Sequence, residues 1–382
     1  MPIKEHFQQK LSPKEHFTPT FCPNPHCSNY AKPPKTLNWC KKIGNFTRKD
    51  GEKIPRWICL QDDKPHSFSY ASFECTYWLK HRNLLPDIAQ KVSEQCSLRG
   101  IARSLKVSQN CIHSQLMRIG RHCLLLNEWS RKSINPNKLS TLVFDELESW
   151  EVSQFVPTTH PLFMDTGSGF KLEAICTPIR RKGRMTELQV EEYEKWKGKY
   201  PLASQQSARM AVKSVLQHLK SLYQSKDTVE VATDEKSMYS TLLRKEWKGI
   251  KYVHKQYSSK EGRNVGYMGK INQEDQYIRQ RCATMRRESL DFMRRHNNTT
   301  LRHQIYMLKR NFVQARSGTK RKSNPAVRLE LIDEPVDWLQ VFSKRVLGGL
   351  SQLPKYLQRS YFQQNKTSFF NSNYEHKSVY AI

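Results

Sequence analysis

The sequence predicts an α/β fold, a mixed five-stranded sheet with helices, preceded by a cysteine-rich knuckle module and a three-helix unit. Three observations predict it. Residues 139–295 alternate short apolar runs with helical stripes in the order β-β-β-α-β-α-β-α. Residues 1–80 concentrate Cys, Pro and aromatic residues between short strand-like runs. Residues 81–137 carry apolar residues at helical spacing and end at Ser133-Ile134-Asn135-Pro136-Asn137, where Asn and Pro break a helix. The remainder, 296–382, is basic and polar with weaker helical patterns. At 382 residues the chain exceeds one ordinary core of roughly 100–200 residues. The boundaries are therefore read as 1–80, 81–137, 138–295 and 296–382, with an insertion at about 180–200.

Charge narrows the partners. Lys and Arg number 64 against 35 Asp and Glu, a net charge of +29. Such a surplus attracts polyanions, nucleic acid first. No stretch approaches the roughly 20 apolar residues that span a bilayer, and Met1 to Lys14 has no apolar signal core. The reading is a soluble chain that is not exported by the usual route. The ten cysteines do not spread like a disulfide framework, since four fall in the first 60 residues. Early clustered Cys and His instead suggest metal.

In the first segment, Phe21-Cys22-Pro23-Asn24-Pro25-His26-Cys27 sets two thiols across a Pro-rich knuckle. A second cluster follows at Cys59, Asp62, Asp63 and His66. Leu37 to Arg48 and Lys53 to Leu60 read as a hairpin turned by Lys49-Asp50-Gly51. Zinc takes four soft or borderline ligands in a tetrahedron, here Cys22, Cys27, Cys59 and His66, with Cys40 and His26 as alternatives. So small a module has little core of its own, and the metal would supply much of its folding energy.

In the second segment, Leu84 to Gln95 and a short helix ending near Lys106 precede Ser108, a natural N-cap. The helix after Ser108 places Ile112, Leu116 and Ile119 on one face. Gln109, Asn110, His113, Gln115 and Arg118 are assigned to the other, as side chains suited to reading a DNA groove. The pattern is a helix-turn-helix.

In the third segment, Leu139 to Asp145 and Thr228 to Asp234 each read as an apolar strand closing on an acid. Between them lie strands at Pro161 to Asp165 and Phe170 to Cys176 and a helix from about Gln205 to Gln224. A short helix with Tyr239, Leu242 and Leu243, a strand at Ile250 to Gln256 and a long helix from about Asn272 to Phe292 follow. Two strand-end acids can meet on neighbouring strands, and a third on the closing helix completes a carboxylate cluster. Phosphoryl transfer uses such a cluster to hold magnesium. Glu146 and Glu235, next in sequence to the two strand acids, are expected to point away.

The element order, with Phe144-Asp145-Glu146 and Thr233-Asp234-Glu235, resembles the DDE transposases of bacterial insertion sequences, in the small insertion-sequence-one-like group. The resemblance spans most of 20–295. It implies an RNase H-like catalytic core behind a zinc ribbon and a helix-turn-helix, with Asp145 and Asp234 as the first two acids. The third departs from the commonest pattern. Asn272, Asp275 and Arg279, followed by Arg287, Glu288 and Ser289, fit a branch of the family that places Asp there, so Asp275 is preferred and Glu274 is the substitute. The two point about 100° apart on a helix, so only one can face the metals. The resemblance implies Mg2+ or Mn2+ at the acids, structural Zn2+ in the ribbon, and cleavage and joining of double-stranded DNA at transposon ends. Arg279 would steady Asp275 or meet a phosphate. A homo-oligomer acting in the bacterial cytoplasm, on the nucleoid, is also implied. The alternatives are an inactivated transposase kept as a DNA-binding regulator and a nuclease that cuts without joining.

Overall fold

A computed structural model describes residues 3–8, 11–61, 65–94, 96–151, 153–199, 203–258, 266–282, 285, 296–315 and 323–364. After a first short helix, α1 (Ile3–Gln8), three antiparallel strands form a ribbon in the order β1-β2-β3. These are β1 (Cys40–Thr47), β2 (Lys53–Cys59) and β3 (His66–Ser69), one strand more than the expected hairpin. Trp39, Trp57, Phe68, Tyr70 and Phe73 pack behind them as a separate apolar cluster.

Three helices follow: α2 (Leu85–Val92), α3 (Leu98–Leu105) and α4 (Gln109–Ser133). The Ser97 hydroxyl accepts from the Gly100 amide and the Ser108 hydroxyl from the Cys111 amide. Each satisfies an N–H that the first helical turn leaves unpaired. Lys106 ends α3 in the left-handed region, at φ 52°, and turns the chain into α4. At 25 residues, α4 outruns the recognition helix expected there, and its second half is buried nearly all round.

The main sheet has six strands. They are β4 (Leu142–Trp150), β5 (Pro157–Asp165), β6 (Lys171–Ala174), β7 (Thr177–Pro178), β8 (Val229–Asp234) and β9 (Tyr252–Tyr257). Their order is β6-β5-β4-β8-β9, with β7 paired to β5. The first three pair antiparallel, whereas β8 runs parallel to both β4 and β9, so the sheet is mixed. Between β7 and β8 come α5 (Glu187–Lys199), an exposed helix in the expected insertion, and α6 (Ser207–Tyr223). Then α7 (Ser237–Glu246) precedes β9, and α8 (Gly266–Arg281) follows it.

Alternation along β4 assigns the helices to faces. Leu142 and Phe144 enter the core shared with α6 and α7, and Val143 and Leu147 pack with Met268, Ile271 and Ile278 of α8. The chain closes with α9 (His296–Leu308), α10 (Pro325–Arg328), α11 (Trp338–Val341) and α12 (Lys355–Tyr361). This is no appended tail: Leu301, Ile305 and Leu357 are fully buried in the same core as α4 and the sheet. That core also runs across the expected boundary at 137–138, which is a turn in which the Asn135 side chain accepts from the Asn137 amide. At Gly120 of α4 the helix α9 approaches so closely that a β-carbon there would lie 2.6 Å from the Leu301 β-carbon.

Candidate metal centre and carboxylate site

The N-terminal metal ligands converge. Cys22 and Cys27 sit on the knuckle, closed by a backbone bridge between Cys22 and Tyr30. Cys59 ends β2, and His66 begins β3 as its direct ladder partner. The ligand atoms of these four residues all lie within 4.8 Å of one another. Cys22 Sγ is 3.1 Å from His66 Nε2, and Cys27 Sγ is 3.6 Å from Cys59 Sγ. The Asn24 and Asn29 amides point at the Cys22 and Cys27 sulfurs, at 3.5 and 3.4 Å, as donors suited to thiolates. Three buried thiols and an imidazole form a donor set that could bind a metal such as zinc. Neither Cys40 nor His26 belongs to the cluster. Asp62 and Asp63 lie outside the described residues.

The main sheet carries the three aspartates, and Asp145 is not at a strand end. Here β4 continues five residues beyond it, paired throughout with β5. What ends near Asp145 is the pairing with β8, which covers only Leu142 with Val231 and Val143 with Ala232. Asp145 therefore stands where β4 and β8 part, and Asp234 closes β8 beside it. On α8, Met268, Ile271 and Ile278 form an apolar stripe against the sheet, continued by Cys282 just past its end, and Asp275 occupies the helical position within that stripe. The start of α8 lies six residues earlier than expected, which places Asp275 mid-helix.

Electrostatics ties the acids together. Burial foremost, joined by the Asp234 charge, pushes the Asp145 carboxyl up to about 6, although the Glu146 amide donates to it at 2.7 Å. Burial and then the Asp145 charge push Asp275 up to about 7, with Arg279 pulling the other way. One Asp275 oxygen, Oδ1, is buried with no hydrogen-bond partner. Taking a carboxylate out of water without a partner is expensive, so this oxygen calls for a proton or a cation. Yet the acids are not drawn into one tight shell. Among the described residues, the Cys and His cluster is the only group of three or more Cys, His, Asp or Glu with ligand atoms all within 4.8 Å.

Glu274, the substitute third acid, is committed elsewhere. It is buried, takes two hydrogen bonds from Arg310 at 3.0 and 2.9 Å and one from the Tyr306 hydroxyl, and lies 3.1 Å from Lys171 Nζ. Burial would raise its carboxyl, but Lys171 and Arg310 outweigh it and hold the group at about 2. Glu146 faces α7, as expected, accepting from the Tyr239 hydroxyl and the Lys236 ammonium, each at 3.0 Å. Lys236 also stands 3.8 Å from Asp234, a cation that sequence reading passed over. Arg279 donates to the Glu148 carbonyl at 3.2 Å, tying α8 to β4 beyond the acids. Arg287, Glu288 and Ser289 lie outside the described residues.

The five residues expected to read a groove separate. Gln109 and Asn110 are exposed on the first turn of α4. His113 pairs with the Asn298 side chain at 3.2 Å. Gln115 is buried, 2% exposed, and donates to the His81 carbonyl. Arg118 donates to the Cys75 and Tyr77 carbonyls, at 3.2 and 2.6 Å, with its guanidinium 4.3 Å from the Tyr77 ring centre. The last two are thus anchors that hold the chain after the ribbon against α4, and neither is presented outward. The helical face was drawn too wide because polarity alone does not distinguish an outward donor from one that pairs with a buried carbonyl. Exposed Arg103, Lys106 and Ser114 border the presented turn instead.

Among the described residues, no helix is long and apolar enough to cross a membrane. No protein-family model and no curated protein matches this chain.

Proposed function

We propose that the chain is a DNA transposase, in which an RNase H-like core carries Asp145, Asp234 and Asp275 and an N-terminal zinc ribbon and helix-turn-helix grip DNA. The observation that carries this reading is Asp275, a half-buried acid set into the apolar stripe of α8, with one oxygen shut away from water without a hydrogen-bond partner and the Asp145 charge beside it. A stability argument has no use for such a group, whereas a phosphoryl-transfer site does. The strand order supports it as well. Strands β4, β5 and β6 pair antiparallel and β8 and β9 continue the sheet in parallel, with acids on β4, β8 and α8, which accords with the element order on which the family resemblance rests. The net charge of +29 suits a polyanionic substrate.

The donor set fits a hard divalent cation, because all three acids offer carboxylate oxygens and one of those oxygens is orphaned. When bound, Mg2+ or Mn2+ supplies Lewis acidity to the scissile phosphate and to the attacking oxygen. The chain's own residues position that chemistry. Asp145 and Asp234 are fixed by the sheet, and Asp275 by the packing of α8 on it. Lys236, tethered to Glu146, sets a positive charge beside Asp234, where it favours a phosphate oxygen. Arg279 braces the end of α8. Strand hydrolysis would free a 3′-hydroxyl, and its attack on a target phosphodiester would join the strands. Action as a homo-oligomer on paired ends, in the cytoplasm, is part of the same proposal.

The spread of the three acids favours a second reading, a transposase-derived regulator that binds DNA without cutting it. Strand transfer with magnesium, comparing the native chain with Asp145→Ala, separates the two. Loss of roughly 10²–10³-fold is expected in the variant. Equal activity, or none in either protein, would sink the catalytic reading.

A further inference from the structure

The ribbon holds one cysteine that the metal centre does not use. Cys40 opens β1 and is the direct ladder partner of Cys59, which ends β2. Directly opposed residues of an antiparallel pair project to the same face, so the Cys40 thiol stands on the face that carries the Cys59 ligand. The kind of pairing matters. The Leu60 amide donates to the Trp39 carbonyl at 2.8 Å, so the ladder's hydrogen bonds flank Cys40 and Cys59 and do not join them. Opposed residues of that type lie about 4.5 Å apart at Cα, with side chains closer than in the hydrogen-bonded type. A disulfide takes roughly 4.4–6.8 Å between Cα atoms, so the register itself sets these two thiols at disulfide range. On its other side Cys59 is paired with His66, so it stands in the ladder between a fellow ligand and a spare thiol. Exposure separates the roles. Cys22, Cys27 and Cys59 are buried, whereas Cys40 is half-buried and the most open of the four.

We infer that Cys40 is an oxidation site, and that its product is a cross-strand disulfide with Cys59 that takes one ligand from the metal. The inference rests on the four-ligand reading of the metal centre and is independent of the three aspartates. The oxidant is a peroxide. Its O–O bond breaks as one oxygen passes to the Cys40 sulfur, giving a sulfenic acid and water. The Cys59 sulfur then attacks the sulfenic sulfur. The S–S bond forms, the S–O bond breaks and the oxygen leaves as hydroxide. Together the two sulfurs give up two electrons, and the peroxide ends as water and hydroxide. Cys59 no longer donates as a thiolate, and Cys22, Cys27 and His66 remain where zinc takes four donors. So small a ribbon draws much of its folding energy from the metal, and the new bond is therefore read out as a loosened ribbon. Cys27, at 3.6 Å from Cys59 between sulfurs, is the rival partner, but it is buried and a ligand itself.

The test uses the full-length protein loaded with zinc, its metal counted beforehand, and hydrogen peroxide as the oxidant. A colorimetric chelator follows the metal set free, and mass spectrometry of unreduced peptides identifies the bond. The native chain is expected to release zinc as a peptide pair linking Cys40 to Cys59 accumulates, and a dithiol reductant with added zinc should reverse both. Cys40→Ser, which alters no ligand, should bind as much zinc at the outset, lack that peptide pair and keep its metal through the peroxide dose that empties the native chain. A bond between Cys27 and Cys59 in its place, metal lost equally fast from the variant, less zinc in the variant at the outset, or a native chain that keeps all its thiols overturns the inference. A native chain that takes up no zinc defeats the four-ligand reading instead, and the peptide map still decides the Cys40–Cys59 bond.

Discussion

Asp275 shows what a single residue discloses when its neighbours are known. In the sequence it is one of two adjacent acids, and helical geometry says only that the two diverge. The structure adds that Glu274 pairs with Lys171 and Arg310, whereas Asp275 shares its face with Met268, Ile271 and Ile278. That apolar spacing was present in the sequence and would have singled out Asp275 without the family resemblance. The partners of Glu274 come from β6, from α9 and from the segment after it, so no local pattern could have indicated them. The cost of burial predicts a measurable exchange of stability for function. The folded-state carboxyl, at about 7, lies above its ordinary value of 3.8, so the protonated form is the one folding favours. The associated stability is fully present below about pH 4 and is lost as pH rises toward 7. Asp275→Asn, measured in chelator at pH 8, should therefore raise unfolding stability, by an amount on the order of 2 kcal/mol or more. An unchanged or lowered melting temperature would contradict the burial argument.

At the scale of elements, strands and helices were legible wherever an apolar period ran uninterrupted. The helix of Val212, Val215, Leu216 and Leu219 lies within two residues of its expected ends, as does the second hairpin strand of the ribbon, whereas the first begins three residues late, at Cys40. Misjudged limits have physical causes. Asp145 suggested a strand end because an acid commonly marks one, yet β4 goes on because its second half pairs with β5 alone. The segment 296–382 reads as basic and polar with weaker helical patterns, and Gln304, Asn311 and His303 are among its polar residues. All three are buried and bonded across elements, Gln304 to Glu173 and Asn127, Asn311 to Lys171, and His303 to His160. The start of α4 yields a prediction of its own. Gln109→Ala with Asn110→Ala should weaken binding to a cognate duplex by about 1–3 kcal/mol per lost base contact, with thermal stability unchanged. Arg118→Ala should do the reverse, lowering the melting temperature with little effect on sequence preference. Gel-shift titration beside calorimetric melting measures both, and a loss of preference in Arg118→Ala would restore that residue to the reading face.

For the molecule as a whole, the ribbon's own apolar cluster, apart from the two that flank the main sheet, implies two cooperative units. The ribbon's cluster holds Trp39 and Trp57 and all three cysteine ligands, while the main core runs from α1 to α12. Removing the metal with a chelator should unfold the first unit and leave the second, giving a tryptophan-fluorescence transition well below the main calorimetric one. A single transition moving as one would mean that the ribbon has no independent fold. The long fourth helix has a further consequence. With 25 residues it spans about 38 Å, solvent-facing at its first turn and sealed among α9, β6 and α12 toward its end. It runs unbroken from Gln109 to Ser133. Whatever its first turn grips is held at a constant offset from the main sheet, as by a ruler, so the interval between the bases read and the bond presented to the acids would be a fixed property of this chain. A DNA site with one base pair inserted into that interval would be gripped as firmly as before and brought to the acids out of step.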